Sequence, residues 1–312
     1  MKTVVLANSF LALPCLEELR KRGELHLVIT PDQVHEGTRR VLDFVQHNNI
    51  RHQQVTKEDL DDALPLILEE DKVDLCLSVT FPYKFPQALL NAPALGCFNF
   101  HFGLLPGYRG AEPIFWQIRR GEKQGGITLH KMDAGIDTGP IYHQGKLDIA
   151  PDDTHGLHMV KLAFLSPKVM QDAWQMITDP SQQGHPQPVK DGNYFRKPVA
   201  EDLLIDWHQP AQDIINLIRE CNPWNRGAIA YLEGMEVRVS QGYMTRISKE
   251  VSAGTIISAN EMEGLIVACG GNTAIRLDIL CMDEGIMTGA TLCRLGVNAG
   301  LRFPSPLTSS VD

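Results

Sequence analysis

No part of the 312-residue sequence approaches the roughly 20 consecutive apolar residues that a membrane-spanning helix requires. The opening residues form a short apolar run that lacks the architecture of a cleavable signal. The seven cysteines are scattered and include no Cys-x-x-Cys pair, so neither a disulfide framework nor a zinc site is indicated. We therefore expect a soluble, cytoplasmic protein that is kept reduced and holds no metal.

A glycine-rich phosphate cradle is also missing. No Gly-x-Gly-x-x-Gly follows the first apolar run, where the sequence reads Ala7-Asn8-Ser9-Phe10, and this disfavours a nicotinamide cofactor. Basic residues are few as well: 29 Lys and Arg stand against 38 Asp and Glu, a formal net charge of −9. Residues 207–312 hold eight Lys or Arg and eleven Asp or Glu, a balance of −3. Because proteins that grip nucleic acid usually present a basic surface, this balance argues mildly against such a partner.

The first half of the chain does contain a regular alternation of short apolar runs and amphipathic stretches. The runs read as strands buried on both faces, and the stretches between them carry the apolar spacing of helices. Strand–helix–strand alternation predicts an α/β fold on a doubly wound, mainly parallel, Rossmann-like sheet. The predicted strands are Thr3–Ala7, Leu25–Ile29, Asp74–Val79 and Gly96–Phe100, followed by Gly126–Met132 and Gly139–Gln144.

The second half differs in composition and pattern. Residues 179–206 are rich in Pro, Gln, Gly and charge without sustained periodicity, which is the composition of a linker. A predicted helix over Pro210–Cys221 precedes several short strands with Gly-rich turns, and this suggests a small open β-barrel. The sequence therefore predicts a first domain over residues 1–180, a linker over 181–205 and a second domain over 206–312.

Three side chains able to do acid–base and hydrogen-bond chemistry flank one predicted strand and one glycine-rich loop. Asn99 and His101 lie at the end of the Gly96–Phe100 run, where ligands of an open α/β sheet gather, and Asp137 follows in the later loop. An imidazole can take or give a proton near neutral pH. A carboxamide can donate to an oxyanion, and a nearby carboxylate can orient the imidazole or relay a proton. This combination suits acyl transfer to an amine.

The order of these residues resembles the signature of a known family. The motif from Asn99 to Gly110, Asn-x-His-x-x-Leu-Leu-Pro-x-x-Arg-Gly, is followed by Asp-x-Gly-x-Asp-Thr-Gly from Asp133 to Gly139. Both are similar to motifs of the 10-formyltetrahydrofolate-dependent formyltransferases, whose members act on methionyl-tRNA, glycinamide ribonucleotide or amino-sugar nucleotides. The resemblance extends to Asn222-Pro-Trp224, which is similar to the start of the second domain of methionyl-tRNA formyltransferases.

The resemblance implies an enzyme that takes a formyl group from 10-formyltetrahydrofolate without a metal. Matched residue by residue, it assigns catalysis to Asn99, His101 and Asp137. Arg109 is expected to contact the acceptor or to hold its loop. The segment after the Asp74–Val79 strand departs from the Tyr-Gly-x-Ile-Leu-Pro usual in methionyl-tRNA formyltransferases. The residues expected to bind the folate are Tyr83, Lys84, Phe85, Leu104, Leu105, Pro106, Asp133, Gly135 and Gly139.

Purely structural explanations compete with several of these assignments. Asn99 could satisfy its own backbone at a strand end, and His101 could be held in a turn. The loop glycines could serve the turn alone. His155 and His158 have the spacing of one helix face and could ligate a metal, but no third ligand is identifiable and a solvated helix face is the simpler interpretation.

The acceptor of the formyl group stays open between three classes. The segment from Thr30 to Thr38 is short and contains no Lys or Arg, and together with the acidic second domain this favours a small amine, such as that of an amino-sugar nucleotide. The alternative is initiator methionyl-tRNA, supported by the similarity around Asn222–Trp224. A third alternative, of another class, is a 10-formyltetrahydrofolate hydrolase or a folate-binding module without activity.

Overall fold

The computed structural model describes residues 1–188, 192–247 and 250–305. Residues 189–191 of the predicted linker lie outside the described residues, as do 248–249 and 306–312 of the predicted second domain.

The chain forms two compact units, each assembled from three stretches of sequence. The division is discontinuous because Phe115, far from the second half in sequence, belongs to the apolar core of the second unit. The predicted domain bounds divide the chain into consecutive stretches, and these bounds stay a prediction. The first unit comprises Met1–Pro113, Gln124–Asp148 and Met159–Arg196, and the second comprises Ile114–Lys123, Ile149–His158 and Lys197–Asp312.

The first unit is built on a seven-stranded sheet and a separate two-stranded pair. The strands are β1 Thr3–Ala7, β2 Leu25–Pro31, β3 His52–Val55, β4 Leu75–Val79, β5 Cys97–His101, β6 Arg109–Gly110, β7 Gln124–Lys131, β8 Ile141–Asp148 and β9 Tyr194–Phe195. The sheet order is β3-β2-β1-β4-β5-β7-β8, with β6 pairing to β9. Strands β1 to β5 are parallel to one another, and β7 pairs antiparallel with both β5 and β8. Strands β1 and β4 are buried along their whole length, as unbroken apolar runs require.

Helices connect the parallel strands, as the alternation of patterns predicts. They are α1 Leu13–Lys21, α2 Glu36–His47, α3 Ala63–Glu70 and α4 Gln87–Asn91. Helix α5 Pro113–Arg119 precedes β7, α6 His155–Thr178 follows β8, and short 3-10 turns lie at Phe10–Ala12, Glu58–Leu60 and Ala200–Leu203. The sequence pattern does not predict α5. Over the described ranges, no helix combines the length and apolarity needed to cross a membrane.

The second unit contains an antiparallel six-stranded sheet. Its elements are α7 Ala211–Glu220, β10 Ala228–Leu232, β11 Met235–Thr245, β12 Ile256–Asn260, β13 Gly264–Cys269, β14 Thr273–Met282, β15 Gly285–Thr288 and α8 Gly289–Arg294. The order is β10-β11-β14-β13-β12, with β15 also pairing to β14. Trp207 is fully buried in its core and packs against Phe303 at 5.1 Å between ring centroids. The predicted fold class, a doubly wound α/β sheet followed by a small β domain, is confirmed.

The strand order places the candidate chemistry at one edge of the first sheet. The chain adds strands toward one side of the sheet from β1 to β3 and toward the other side from β4 onward, so a switch point lies between β1 and β4. Ligands of such sheets bind beside this switch point, outside the carboxyl ends of the strands. Strand β5, next to β4, ends at His101 on this edge. The fold therefore delivers Asn99 and His101 to the expected place.

Glu220, at the end of α7, is a buried acid without a hydrogen-bond partner. Its side chain is fully buried, and neither carboxyl oxygen has a hydrogen-bond partner among the residues that the structure describes. Burial raises the pKa of Glu220 to about 9; Arg119 opposes this shift and Asp202 adds to it. Since an uncompensated buried carboxylate is costly, the side chain is protonated in the folded protein at neutral pH.

We predict that Glu220→Gln stabilises the protein at pH 8 and leaves its stability near pH 4 unchanged. Between the ordinary glutamate pKa and about 9, the folded state holds a proton that the unfolded state has lost, so wild-type stability falls as pH rises through this window. The slope is at most about 1.4 kcal/mol per pH unit. Urea unfolding across this range measures it, with Glu284→Gln, an exposed site, as the matched control. If the free energy of unfolding changed with pH in the same way for wild type and Glu220→Gln, the pKa of Glu220 would be ordinary.

Candidate active site

Strands β5 and β7 bring two polar side chains face to face at the carboxyl edge of the first sheet. Asn99 lies directly opposite His130 in the antiparallel register. The Nδ2 of Asn99 lies 3.4 Å from the Nε2 of His130. The Nδ1 of His130 lies 3.1 Å from the carbonyl oxygen of Lys131. Because a carbonyl only accepts, Nδ1 of His130 carries a hydrogen, and in the neutral ring Nε2 is then an acceptor for the Asn99 amide.

His101 closes the same edge from the end of β5. Its side chain is 5 % exposed, and its Nε2 donates to the carbonyl oxygen of Tyr108 at 2.7 Å. The other nitrogen, Nδ1, therefore lacks a hydrogen in the neutral ring and lies 3.5 Å from Oδ2 of Asp137. Burial lowers the pKa of His101 below its ordinary value, as does the neighbouring His130, whereas Asp137 raises it. The ring is consequently neutral at neutral pH and able to take a proton.

Asp137 lies between the two imidazoles. Its Oδ2 faces His101, and its Oδ1 is 3.5 Å from Nε2 of His130. The backbone N–H of Gly110 donates to Oδ2 at 2.9 Å. Burial by itself would raise the pKa of Asp137, but His101, His130 and the Gly110 N–H together outweigh it and lower the pKa to about 2. The carboxylate is therefore ionised throughout the neutral range.

The arrangement of His101, His130 and Asp137 favours the addition of one proton. In its neutral form, each imidazole donates its single hydrogen to a backbone carbonyl and turns an unprotonated nitrogen toward the carboxylate of Asp137. A proton arriving at either nitrogen creates an imidazolium beside a buried carboxylate, which stabilises it. The arrangement can thus accept a proton from a nucleophile and return it to a leaving group. We call His101, His130 and Asp137 the proton-accepting cluster.

Sequence reasoning missed His130. Its signal was present: Gly126–Met132 reads as a strand, and alternate residues Thr128 and His130 point to one side of it. Single-sequence analysis could not find the pairing partner, because the antiparallel register that sets His130 against Asn99 depends on the whole sheet.

The predicted folate residues lie in three segments, of which the first to be described follows β5. Leu104 and Pro106 are half-buried after β5, and Leu105 is buried, with its N–H donating to Thr128 and its carbonyl accepting from Gln144. These backbone bonds fix the loop beside His101. Their role in folate binding stays a prediction.

The loop that carries Asp137 is shaped by its own contacts. Asp133 Oδ1 accepts from the N–H of Gly135 at 3.0 Å and from the hydroxyl of Thr138 at 2.6 Å. A Cβ at Gly135 would collide with Thr138, and one at Gly139 would collide with the carbonyl oxygen of Lys131. Loop geometry alone therefore requires both glycines, as the structural alternative held, and their contact with folate stays a prediction.

The segment after β4 places its three predicted residues differently. Phe85 is 3 % exposed and belongs to the core of the first unit, so little of its side chain is open to a ligand. Lys84 is exposed. The hydroxyl of Tyr83 donates to Asp32 Oδ1 at 3.0 Å, which links the loop after β4 to the loop after β2.

Arg109 is buried, with 4 % of its surface exposed. Its Nε and one terminal nitrogen donate to Oε1 of Gln187 at 3.2 and 2.7 Å. Of the two roles considered for this residue, these contacts favour holding the loop over contact with an acceptor. The two histidines His155 and His158 are buried, not solvated. No group of three metal-ligating side chains occurs in the part of the chain that the structure describes.

A doubly wound sheet with an amide and a proton-accepting cluster at its ligand-binding edge points to a transferase that works at a carbonyl carbon. Comparison with known proteins makes this specific. The family described as "Formyl transferase" matches residues 1–174, and that described as "Formyl transferase, C-terminal domain" matches 198–294. The chain belongs to the formyltransferase family and is a formyltransferase.

Individual relatives agree with this assignment. The chain is 34 % identical over 283 residues to the methionyl-tRNA formyltransferase of Acetivibrio thermocellus, covering 86 % of this chain and 88 % of that one. Among solved structures, the N-formyltransferase of Helicobacter canadensis superposes with a TM-score of 0.66 at 18 % identity, over 89 % of this chain and 98 % of that one. HypX of Aquifex aeolicus gives 0.64 at 16 % identity, over 95 % of this chain. The present chain spans 47 % of that longer protein. At these identities the structures show the fold alone.

We predict that Asp137→Asn lowers turnover about 100-fold or more, because proton transfer by a positioned group typically contributes that much. The change also removes the charge that raises the pKa of His101, so the acidic limb of the pH–rate profile moves to lower pH. Steady-state turnover from pH 5 to 9 measures both effects. Asp148→Asn, at an exposed position on β8, is the matched control. Wild-type turnover with an unmoved acidic limb would reduce Asp137 to a loop-shaping residue.

Proposed function

We propose that this formyltransferase moves the formyl group of 10-formyltetrahydrofolate to a primary amine, and that the amine is the amino group of methionyl-tRNA. The observation that carries formyl transfer to an amine is the convergence of one nitrogen from each of two imidazoles on the Asp137 carboxylate, with the other nitrogen of each ring bonded to a backbone carbonyl. An attacking amine must lose a proton as it becomes an amide, and this cluster accepts one.

The proposed reaction balances in bonds and in protons. The amine nitrogen bonds to the formyl carbon, the bond from that carbon to N10 of the folate breaks, and one proton moves from the amine to N10. His101 takes the proton at Nδ1, the nitrogen that faces Asp137. Asn99 donates one Nδ2 hydrogen to His130, and its second hydrogen is available for the oxyanion of the tetrahedral intermediate.

Several observations support the folate as donor. The family matches residues 1–174, which include all seven strands of the first sheet. One structural relative is described as in complex with tetrahydrofolic acid and another as in complex with folinic acid. In this chain, the loop at 104–106 bonds to Thr128, which lies opposite His101 in the sheet, and the loop at 133–139 carries Asp137. Both loops are therefore near the proton-accepting cluster, where a flat pterin and its N10 arm would have to approach. The proposed folate contacts are the residues of these two loops and Tyr83.

The relatives support methionyl-tRNA as the acceptor. The curated relatives at 34 to 37 % identity are named methionyl-tRNA formyltransferases, and the match to the A. thermocellus enzyme includes most of the second unit. Two structural relatives, one described as a sugar formyltransferase and one as in complex with an amino-sugar nucleotide, share 18 % identity with this chain, which supports a common fold and carries less weight for the substrate.

One specific observation favours a small amine as a second candidate. Strand β2 ends at Pro31 and α2 begins at Glu36, so the connection is four residues long and contains no Lys or Arg. This connection lies at the carboxyl edge of the sheet and offers no cation to a nucleic acid phosphate. The acidic balance of residues 207–312 points the same way.

The experiment offers both acceptors to the purified protein with 10-formyltetrahydrofolate. We expect formyl-methionyl-tRNA to form efficiently at micromolar tRNA and to fall steeply between low and moderate salt, because several phosphates release counterions on binding. An amino-sugar nucleotide and a no-acceptor reaction are run in parallel.

The three arms separate the three classes. Formylation of the amino sugar with a shallow salt dependence, and none of the tRNA, would replace methionyl-tRNA by a small amine and keep formyl transfer. Formate release without any acceptor, at the rate seen with acceptor, would identify a hydrolase instead.

A further inference from the structure

The loop that carries Asp137 has few apolar anchors. Residues 133–136 are exposed, and Ile136, its one large apolar side chain, is 54 % exposed. Asp137 itself adopts a left-handed backbone conformation with φ of 54°, which is uncommon outside glycine. Packing therefore contributes little to the position of this loop, and polar contacts from elsewhere in the first unit must fix it.

Those contacts come from a segment that composition marks as linker. We define the return segment as residues 184–188 and 192–196, the described parts of the chain from Gly184 to the end of the first unit. The N–H of His185 donates to the carbonyl of Ile141 and the reverse bond also forms, at 2.7 and 2.8 Å. The Tyr194 hydroxyl donates to the carbonyl of Ile136 at 3.2 Å. The segment therefore runs back alongside the Asp137 loop.

The return segment also holds the loop between Pro106 and Ala111. Strand β9 pairs with β6, and the ring of Phe195 stacks on Tyr108 with centroids 4.9 Å apart. Tyr108 is the residue whose carbonyl fixes the hydrogen of His101 on Nε2. One short segment thus contacts both loops that define the proton-accepting cluster.

Gln187 joins the two loops through a single side chain. Its Nε2 donates to the carbonyl oxygens of Asp137 at 2.9 Å and Gly139 at 2.7 Å, and its Oε1 accepts from Arg109. The side chain is 9 % exposed, so these bonds face little competition from water. Both hydrogens of the Nε2 amide nitrogen are therefore donated to the Asp137 loop.

We propose that Gln187 is a positioning residue for formyl transfer, which holds the Asp137 carboxylate between His101 and His130 by fixing the backbone of its loop to Arg109. The inference rests on the proposed role of Asp137. Without the two N–H donors of Gln187, the carbonyls of Asp137 and Gly139 lose these partners. Among the described residues, the hydrogen bonds that then still hold the Asp137 loop from outside are those of Gly110 and Tyr194. The carboxylate then spends less time at the distance from both imidazoles that stabilises the added proton.

The test is a double-mutant cycle between Gln187 and Asp137. Gln187→Ala and Gln187→Glu are each made in the wild type and in Asp137→Asn. Gln187→Glu keeps the size of the side chain and its pairing with Arg109 but loses both donors, so it remains informative if Gln187→Ala fails to fold. The matched control is Gln183→Ala, an exposed glutamine just before the return segment.

We expect kcat to fall about 10- to 100-fold in both single Gln187 variants, since a displacement of about 1 Å in a catalytic group can cost that much. KM for the folate should stay within threefold. In the Asp137→Asn background the same substitutions should cost less than threefold, because the group they position has already been neutralised.

Each other result overturns the inference in a distinguishable way. Wild-type kcat in folded Gln187→Glu would show that the bonds to Asp137 and Gly139 do not matter. An undiminished cost in the Asp137→Asn background would show that Gln187 acts independently of Asp137, as a structural residue only. Wild-type turnover in Asp137→Asn alone would remove the proposed role of Asp137 itself, and with it the need for positioning.

Discussion

The proposed chemistry of this formyltransferase depends on one largely buried carboxylate, that of Asp137, held between two imidazoles. Asp137 is ionised, His101 is neutral, and in the neutral form of each ring the only hydrogen is committed to a backbone carbonyl. The carboxylate faces nitrogen lone pairs at 3.5 Å on both sides. Such an arrangement is stabilised when one proton is added, and the proposed formylation of an amine supplies that proton at the moment of attack.

Holding this arrangement requires hydrogen bonds more than apolar packing. The cluster lies where a parallel sheet ends, so its members come from β5, from β7 and from a glycine-rich loop with little buried surface. The Gly110 N–H, the Tyr108 carbonyl and the Gln187 amide then set its geometry. Since hydrogen bonds are directional and packing is not, a loop held this way can fix a carboxylate without a large core beneath it.

The sequence predicted the parts of the molecule that depend on local pattern. Apolar runs located the strands of the first sheet, and the rule that ligands gather at carboxyl ends placed Asn99 and His101 correctly. Contacts between distant parts of the chain could not be predicted this way. His130 reaches Asn99 through antiparallel pairing, and Gln187 reaches Asp137 across 50 residues from a segment with linker composition. Likewise Phe85 reads as a pocket residue beside a strand, and the packing of the first unit buries it.

The hydrogen positions on the rings of His101 and His130 test the role of the proton-accepting cluster most directly. Long-range ¹⁵N–¹H NMR of the histidine side chains at neutral pH distinguishes the two neutral tautomers and the imidazolium, with His101→Gln and His130→Gln used for assignment. We expect His101 to carry its hydrogen on Nε2 and His130 on Nδ1, which leaves both facing nitrogens unprotonated. A hydrogen on Nδ1 of His101 or on Nε2 of His130 would contradict the account, because the proton-accepting cluster would already be filled.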